Sequence, residues 1–278
     1  MSKPGRFQPA WREDIPGART YRSIFKYDPQ QFKHPSPAWY EMFKAEFGLG
    51  DDDFRAPRSG GDETVTLDRP CGLGAVQVDA LAAIVGRDNV STDDYDRVRF
   101  GHGKSIDENL AMRRNQVGPV PDAVVHPRDK ADIAKIVAWC NEQRIAIVTY
   151  GAGSGVVLGN QAARGGIALV LRTHMNKVLA VSDLNQTAVV QPGMMGPAYE
   201  AALNDAPRLF GTQRAYTCGH FPQSFELASV GGWILAAGSG QASTYYGDAC
   251  DLLVSCEFVT PAGTIRTLDI PGTATGPR

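Results

Sequence analysis

A chain of 278 residues with 28 Lys and Arg against 30 Asp and Glu has a net charge of −2, which leaves no basic footprint for nucleic acid. Its apolar fraction of 43% and charged fraction of 21% are those of an ordinary globular protein, with room for one large domain or two smaller ones. No apolar run approaches the roughly 18–20 residues of a membrane helix, and residues 1–13 lack the apolar core of a secretory signal.

In chain order, residues 1–70 are rich in Pro, Arg and aromatics. Gln8-Pro9-Ala10-Trp11 and Pro35 to Tyr40 look extended, and a short helix follows through Met42, Phe43 and Phe47. Asp51 to Asp62 reads as an exposed loop. Residues 76–85 form a helix with Val78, Leu81, Ala82 and Val85 on one face. From Val117 the pattern is regular. A strand over 121–125 is followed by a helix with Ile133, Ile136, Val137 and Cys140 on one side. Strands follow at 145–148 and 167–171, the first read as buried, and then a hairpin joins 178–181 to 187–190. A Pro-started helix covers 197–204, a small-residue helix 226–237, and a last hairpin joins 252–260 to 264–268. The fold class is mixed α/β (α+β).

Between the strands at 145–148 and 167–171 lies Thr149-Tyr150-Gly151-Ala152-Gly153-Ser154-Gly155. Alternate glycines after a strand let successive backbone N–H groups point into one concavity, a nest that takes phosphate oxygens without a cationic side chain. The same sequence fits a mobile turn. A nicotinamide-type dinucleotide loop requires a helix directly after the glycines and an acidic residue about 20 positions on. Neither is present: Val156 to Asn160 follows, and Thr173 to Asn176 holds no carboxylate. A flavin dinucleotide held by a loop between strands remains.

A second constellation runs from Gly219-His220 through Gln223-Ser224-Phe225-Glu226-Leu227-Ala228-Ser229 and Gly231-Gly232-Trp233 to Ala236-Ala237-Gly238-Ser239. Its small residues allow a ligand close to backbone or close helix packing. Ser224, Ser229 and Ser239 can bond ribityl hydroxyls or phosphate, and the helix start near Ser224 favours negative charge. Two glycines inside a helix cost about 1 kcal/mol each relative to alanine, which calls for a packing or ligand reason.

The ordered set Tyr95-Asp96-Arg97, His102-Gly103, Pro121-Asp122-Ala123-Val124, the loop at 149–155, Gly219-His220 through Trp233, and Tyr246-Gly247 before Asp251 resembles the flavin domain of the vanillyl-alcohol oxidase and p-cresol methylhydroxylase superfamily. Within it, alkyldihydroxyacetonephosphate synthase and bacterial FAD-binding oxidases are most similar. The resemblance implies a PCMH-type FAD-binding domain of two α/β subdomains over residues 90–278, after an N-terminal extension over 1–89. It assigns residues 149–155, 223–229 and 236–239 to FAD. Ser154 stands where some members tether flavin through a His, so the cofactor is expected to be non-covalent. Ala236-Ala237-Gly238-Ser239 replaces the synthase's Thr-Arg-Ala-Ser. The family's final Gly-Ser-Glu-Gly-type loop and its substrate domain are not in the sequence, so the chain is expected to be a fragment that lacks the C-terminal part.

Five histidines, His34, His102, His126, His174 and His220, show no metal-ligand spacing, and no metal is expected. His126 and His174 read as structural. His220, beside the cofactor stretch, is the candidate general acid or base, with a buried hydrogen-bonded histidine as the other reading. Five cysteines without a Cys-x-x-Cys pair predict reduced thiols and a cytoplasmic setting. The expected parent is an FAD-dependent oxidoreductase acting on a small alcohol or hydroxy acid. A synthase-like transferase in ether-lipid synthesis and an inactive FAD-binding fragment are the alternatives, and a homodimer of the full-length parent is a further expectation.

Overall fold

The computed structural model describes residues 16–25, 37–54 and 60–267. Its elements are α1 (Tyr21–Phe25), α2 (Pro37–Phe47), α3 (Ala75–Val85), β1 (Val90–Ser91), α4 (Asp94–Arg99), α5 (Ile106–Arg113), β2 (Ala123–Val125), α6 (Lys130–Gln143), β3 (Ile147–Tyr150) and β4 (Ile167–Val170). There follow β5 (Val178–Ser182), β6 (Thr187–Val190), α7 (Gly196–Asn204), α8 (Ala206–Phe210), α9 (Val230–Leu235), α10 (Ser243–Tyr246), β7 (Glu257–Thr260) and β8 (Gly263–Arg266). Contacts divide the chain into two units, Met1–Thr66 with Ile106–Val117, and Leu67–Ser105 with Gly118–Arg278.

In the first unit α1 packs on α5. Thr20 bridges Thr64, and Arg22 N–H donates to the Gly61 carbonyl at 2.6 Å. Pro37 opens α2, so residues 37–40, expected to be extended, are helical instead, because proline suits the first helical turn. Residues 51–54 of the expected loop form a short 3₁₀ turn. The expected extended segment at 8–11 lies outside the described residues.

The second unit is built on a sheet ordered β1-β2-β4-β3, with β2 and β3 parallel to β4 and β1 antiparallel. Side chains alternate across it with the period of two that a strand imposes. Ala123, Val125, Ile167 and Leu169 face Leu81 and Val85 of α3 and Ile136 and Cys140 of α6. Val124, Ala168 and Val170 face the other way, against Phe100 and Tyr150. Asp129 caps α6 by accepting from Asp132 N–H at 2.9 Å. Arg144 ends α6 in the left-handed conformation, and the Ile145 N–H still closes on the Cys140 carbonyl at 2.8 Å. That closure delays the strand expected at 145–148, so β3 starts at Ile147. As an edge strand it is only half covered, not buried.

The motif residues 95–97 and 121–124 brace this sheet. The Arg97 side chain is 1% exposed and donates to the carbonyls of Pro121 (2.9 Å), Arg69 (3.1 Å) and Pro70 (3.4 Å). The Asp122 carboxylate accepts from the N–H groups of Gly166 (2.6 Å) and Gly72 (3.0 Å). The His102 ring accepts the Gly118 N–H at Nε2, so its Nδ1 carries the proton donated to the Val98 carbonyl.

Beyond β4, β5 and β6 pair as the expected hairpin, and β7 and β8 form the last one, shorter than 252–268 because 252–256 are irregular. The helix expected over 226–237 is broken. Residues 225–227 form a 3₁₀ turn, Ser229 is extended, and α9 holds six residues. The cause is a short pairing with the segment after β6. Gly196 N–H donates to the Ala228 carbonyl (3.1 Å), Val230 N–H to Met194 (2.8 Å) and Gly231 N–H to Pro192 (2.8 Å). Among the described residues, no helix is long and apolar enough to cross a membrane.

Candidate functional site

The glycine loop leaves the carboxyl end of β3, where ligands of parallel sheets bind. Tyr150 anchors its start: the side chain is buried, with its ring edge-on to Phe100 at 5.1 Å. At the far end, the Gly155 carbonyl accepts from Lys104 N–H at 2.7 Å. Between these anchors the N–H groups of residues 151–155 donate to nothing among the described residues. Five consecutive N–H groups are thus left unspent, as an anion nest would need them. Gly153 is required at φ +73°, where a Cβ would also run into the Tyr150 hydroxyl.

Gly151 joins this loop to the second constellation. A Cβ there would collide with Ser229 Oγ and stand 3.9 Å from Gly232 N. Ser229 is 1% exposed and its Oγ caps α9 by accepting from Gly232 N–H at 3.3 Å. The helix start therefore lies at Ser229, not near Ser224. Sequence reasoning placed it too early because the pairing of 228–231 with 192–196 is not local.

Around Trp233 an aromatic group assembles. Phe225 stacks on Trp233 at 6.0 Å and 17°, Phe221 packs on Phe225 at 5.1 Å, and the His220 ring meets Trp233 at 5.0 Å and 66°. His220 is 2% exposed, yet among the described residues neither ring nitrogen has a partner, and the buried Trp233 Nε1–H has none either. The reading of His220 as a buried hydrogen-bonded residue is thus not met among the described residues. Burial holds its imidazole below the usual histidine value, with Asp248 pulling weakly the other way, so the ring is neutral at pH 7. Gly238 closes on this ring, its Cβ position being 3.7 Å from His220 Nε2. Glu200 braces the approach to His220, accepting from Cys218 N–H (2.8 Å) and Thr217 Oγ1 (3.1 Å). Burial pushes the Cys218 thiol up to about 12, which makes it an inert neighbour and not a nucleophile.

The remaining candidates are distributed around these contacts. Thr149, Gln223, Glu226, Ala236, Ala237 and Ser239 are exposed, Ala152, Ser154, Ser224, Phe225, Leu227 and Gly238 are half-buried, and Ala228 is buried. Trp233 escaped the sequence-based set, although the Gly-Gly-Trp run carried it; its position in a six-residue helix beside His220 gives it a place at the site. His126 and His174 are structural, bonded to Thr173 Oγ1 and Asn89 Oδ1, each at 2.7 Å.

Unspent N–H groups for a diphosphate, a close backbone approach, and apolar rings with unpaired polar atoms are the donor set a flavin dinucleotide requires. The comparisons agree. Residues 121–269 match the FAD binding domain family, and the chain belongs to it; its cofactor is FAD. Alkyldihydroxyacetonephosphate synthase of Dictyostelium discoideum is 33% identical over 191 residues, 67% of this chain and 30% of that protein. Glycolate oxidase subunit GlcD of Bacillus subtilis is 30% identical over 150 residues, 54% of this chain and 30% of that protein. A solved alkyldihydroxyacetonephosphate synthase structure superposes with a TM-score of 0.73 at 29% identity, covering 84% of this chain and 43% of that one. P-cresol methylhydroxylase shares the fold, with a TM-score of 0.52 at 22% identity over 74% of this chain and 38% of that one. The chain spans about a third of the length of the curated relatives it matches. The family resemblance and the PCMH-type fold expected from the motifs are both borne out.

Proposed function

We propose that this chain is the non-covalent FAD-binding portion, over residues 90–278 after an extension over 1–89, of a flavin-dependent oxidoreductase that oxidises a small alcohol or hydroxy acid. The observation that carries the reading is the row of unspent N–H groups at 151–155 set against the Ser229 cap of α9. Residues 149–155 bind the diphosphate, and 223–229 with 236–239 line the cofactor. Bound FAD supplies a two-electron redox centre, and the protein orients and tunes it. His220, neutral and with both nitrogens unpaired, accepts or holds the substrate proton at one ring nitrogen. Trp233 and Phe225 exclude water from that ring. The family likeness to a glycolate oxidase subunit supports the oxidation chemistry. Five free cysteines support a reducing, cytoplasmic setting, and a homodimer of a longer protein is part of the same reading.

The likeness to alkyldihydroxyacetonephosphate synthase favours a second reading, a synthase-like transferase. Ala236-Ala237-Gly238-Ser239 in place of Thr-Arg-Ala-Ser weighs against it. Visible absorption of purified 1–278 after FAD addition tests binding: a stoichiometric, desalting-resistant flavin spectrum is expected. Anaerobic bleaching of the longer protein's flavin by hydroxy acids tests the chemistry. A flavin that stays oxidised with every donor while an ether product forms would overturn the oxidoreductase reading.

A further inference from the structure

Strands β3 and β4 end side by side, Tyr150 opposite Val170, and the glycine loop leaves only one of them. The chain beyond the other, through Arg172, Thr173 and Asn176, walls an open cleft of about 460 Å³ with Met194, Met195 and Ala198. This wall is held firmly. Met175 N–H donates to the Leu171 carbonyl (3.1 Å), Gly193 N–H to the Met175 carbonyl (2.8 Å), and Asn176 Nδ2 to the Arg172 carbonyl (3.1 Å). The facing wall is the first turn of α7, a nine-residue helix whose N-cap residue, Met195, makes no side-chain cap, and where the Ala198 N–H has no acceptor among the described residues.

Arg172 brings positive charge to this cleft. Among the described residues its guanidinium has no ion-pair partner and no hydrogen-bond acceptor. Arg99, spread over the rings of Phe100 (5.3 Å) and Tyr95 (6.0 Å), likewise lacks a carboxylate partner. Burial, and the field of Arg99, hold the Arg172 guanidinium below its usual value, with Tyr150 opposing them. Two neighbouring guanidinium groups without a counter-charge, in a chain of net charge −2, favour an anion at their open side.

We propose that the cleft is a binding site for a phosphate-type oxyanion, held by the Arg172 guanidinium and the Ala198 N–H. It lies one strand over from the glycine loop. The oxyanion belongs either to the diphosphate of a bound dinucleotide or to a separate phosphorylated ligand.

Calorimetric titration of chain 1–278 with inorganic pyrophosphate at fixed ionic strength, with and without FAD, tests this. Saturable binding is expected, weakened about tenfold or more in R172Q, the effect of losing a charge-assisted hydrogen bond. R172K is expected to fall between R172Q and the parent chain. A198D keeps Arg172 and adds an acid to the first helical turn, where it favours the helix, so it folds and loses pyrophosphate. If FAD abolishes the Arg172-dependent binding, the oxyanion is the cofactor's diphosphate; if that binding persists in FAD-loaded protein, it is a separate ligand's. No saturable binding by the parent chain, or undiminished binding by R172Q and A198D, overturns the proposal. A chain that binds pyrophosphate through Arg172 but takes no FAD overturns only the cofactor assignment at 149–155.

Discussion

Replacing Gly151 by alanine sets a methyl group against Ser229 Oγ, in a place where neither partner has room to move. Ser229 is 1% exposed, its hydroxyl caps α9, and its backbone neighbours are paired with 194–196. An overpacked methyl in such a place costs about 1–3 kcal/mol. At about 2–4 °C per kcal/mol for a chain of this size, the melting point should fall by several degrees. Ser229→Ala alone removes the cap at a cost of about 1 kcal/mol. The double variant should recover part of the loss, since Oγ is the atom the new methyl meets. Urea unfolding of the four proteins gives the coupling, expected at about 1 kcal/mol or more, as for residues in contact. FAD titration by flavin fluorescence should show a parallel loss of affinity in Gly151→Ala. Additivity of the two substitutions within about 0.5 kcal/mol would refute the contact, and with it the joining of the glycine loop to α9.

Arg97→Met should destabilise the chain by about 2 kcal/mol or more in urea unfolding, because it strands the buried Pro121 carbonyl and removes the part-buried bonds to Arg69 and Pro70; a loss under about 1 kcal/mol would contradict its bracing role. Stability should fall as pH drops from 6.5. His220 and His126 are both held below that value by burial, so the unfolded chain binds protons there that the folded chain refuses. Each histidine contributes a slope of at most about 1.4 kcal/mol per pH unit, and His220→Phe should flatten the profile; a pH-independent melting point between 5 and 7 would count against both. Acid precipitation of the FAD-loaded protein should leave all the yellow colour in the supernatant, because Ser154 offers no tether; flavin retained in the pellet would show a covalent link.

The local signals carried much of the architecture. The 3.6-residue spacing of Leu81, Ala82 and Val85, and of Ile136, Val137 and Cys140, marked α3 and α6, and turn chemistry marked both hairpins. Such elements are written in neighbouring residues, and so is the glycine loop, whose unspent N–H groups depend only on its own backbone. The break between 227 and 230 was not legible, because it results from pairing with residues some 35 positions earlier, and helix propensity has no term for that. The start of β3 was displaced by the closure at the end of α6.

The sequence by itself therefore determined the mixed α/β class, the family and, through it, the cofactor. Tertiary structure alone decided which residues stand together there: Gly151 against Ser229, Trp233 and Gly238 around an unpartnered His220, and Arg172 across a cleft from α7. The physical reason is that backbone conformation is set over a few residues, whereas burial and the pairing of polar groups are settled between segments tens of residues apart.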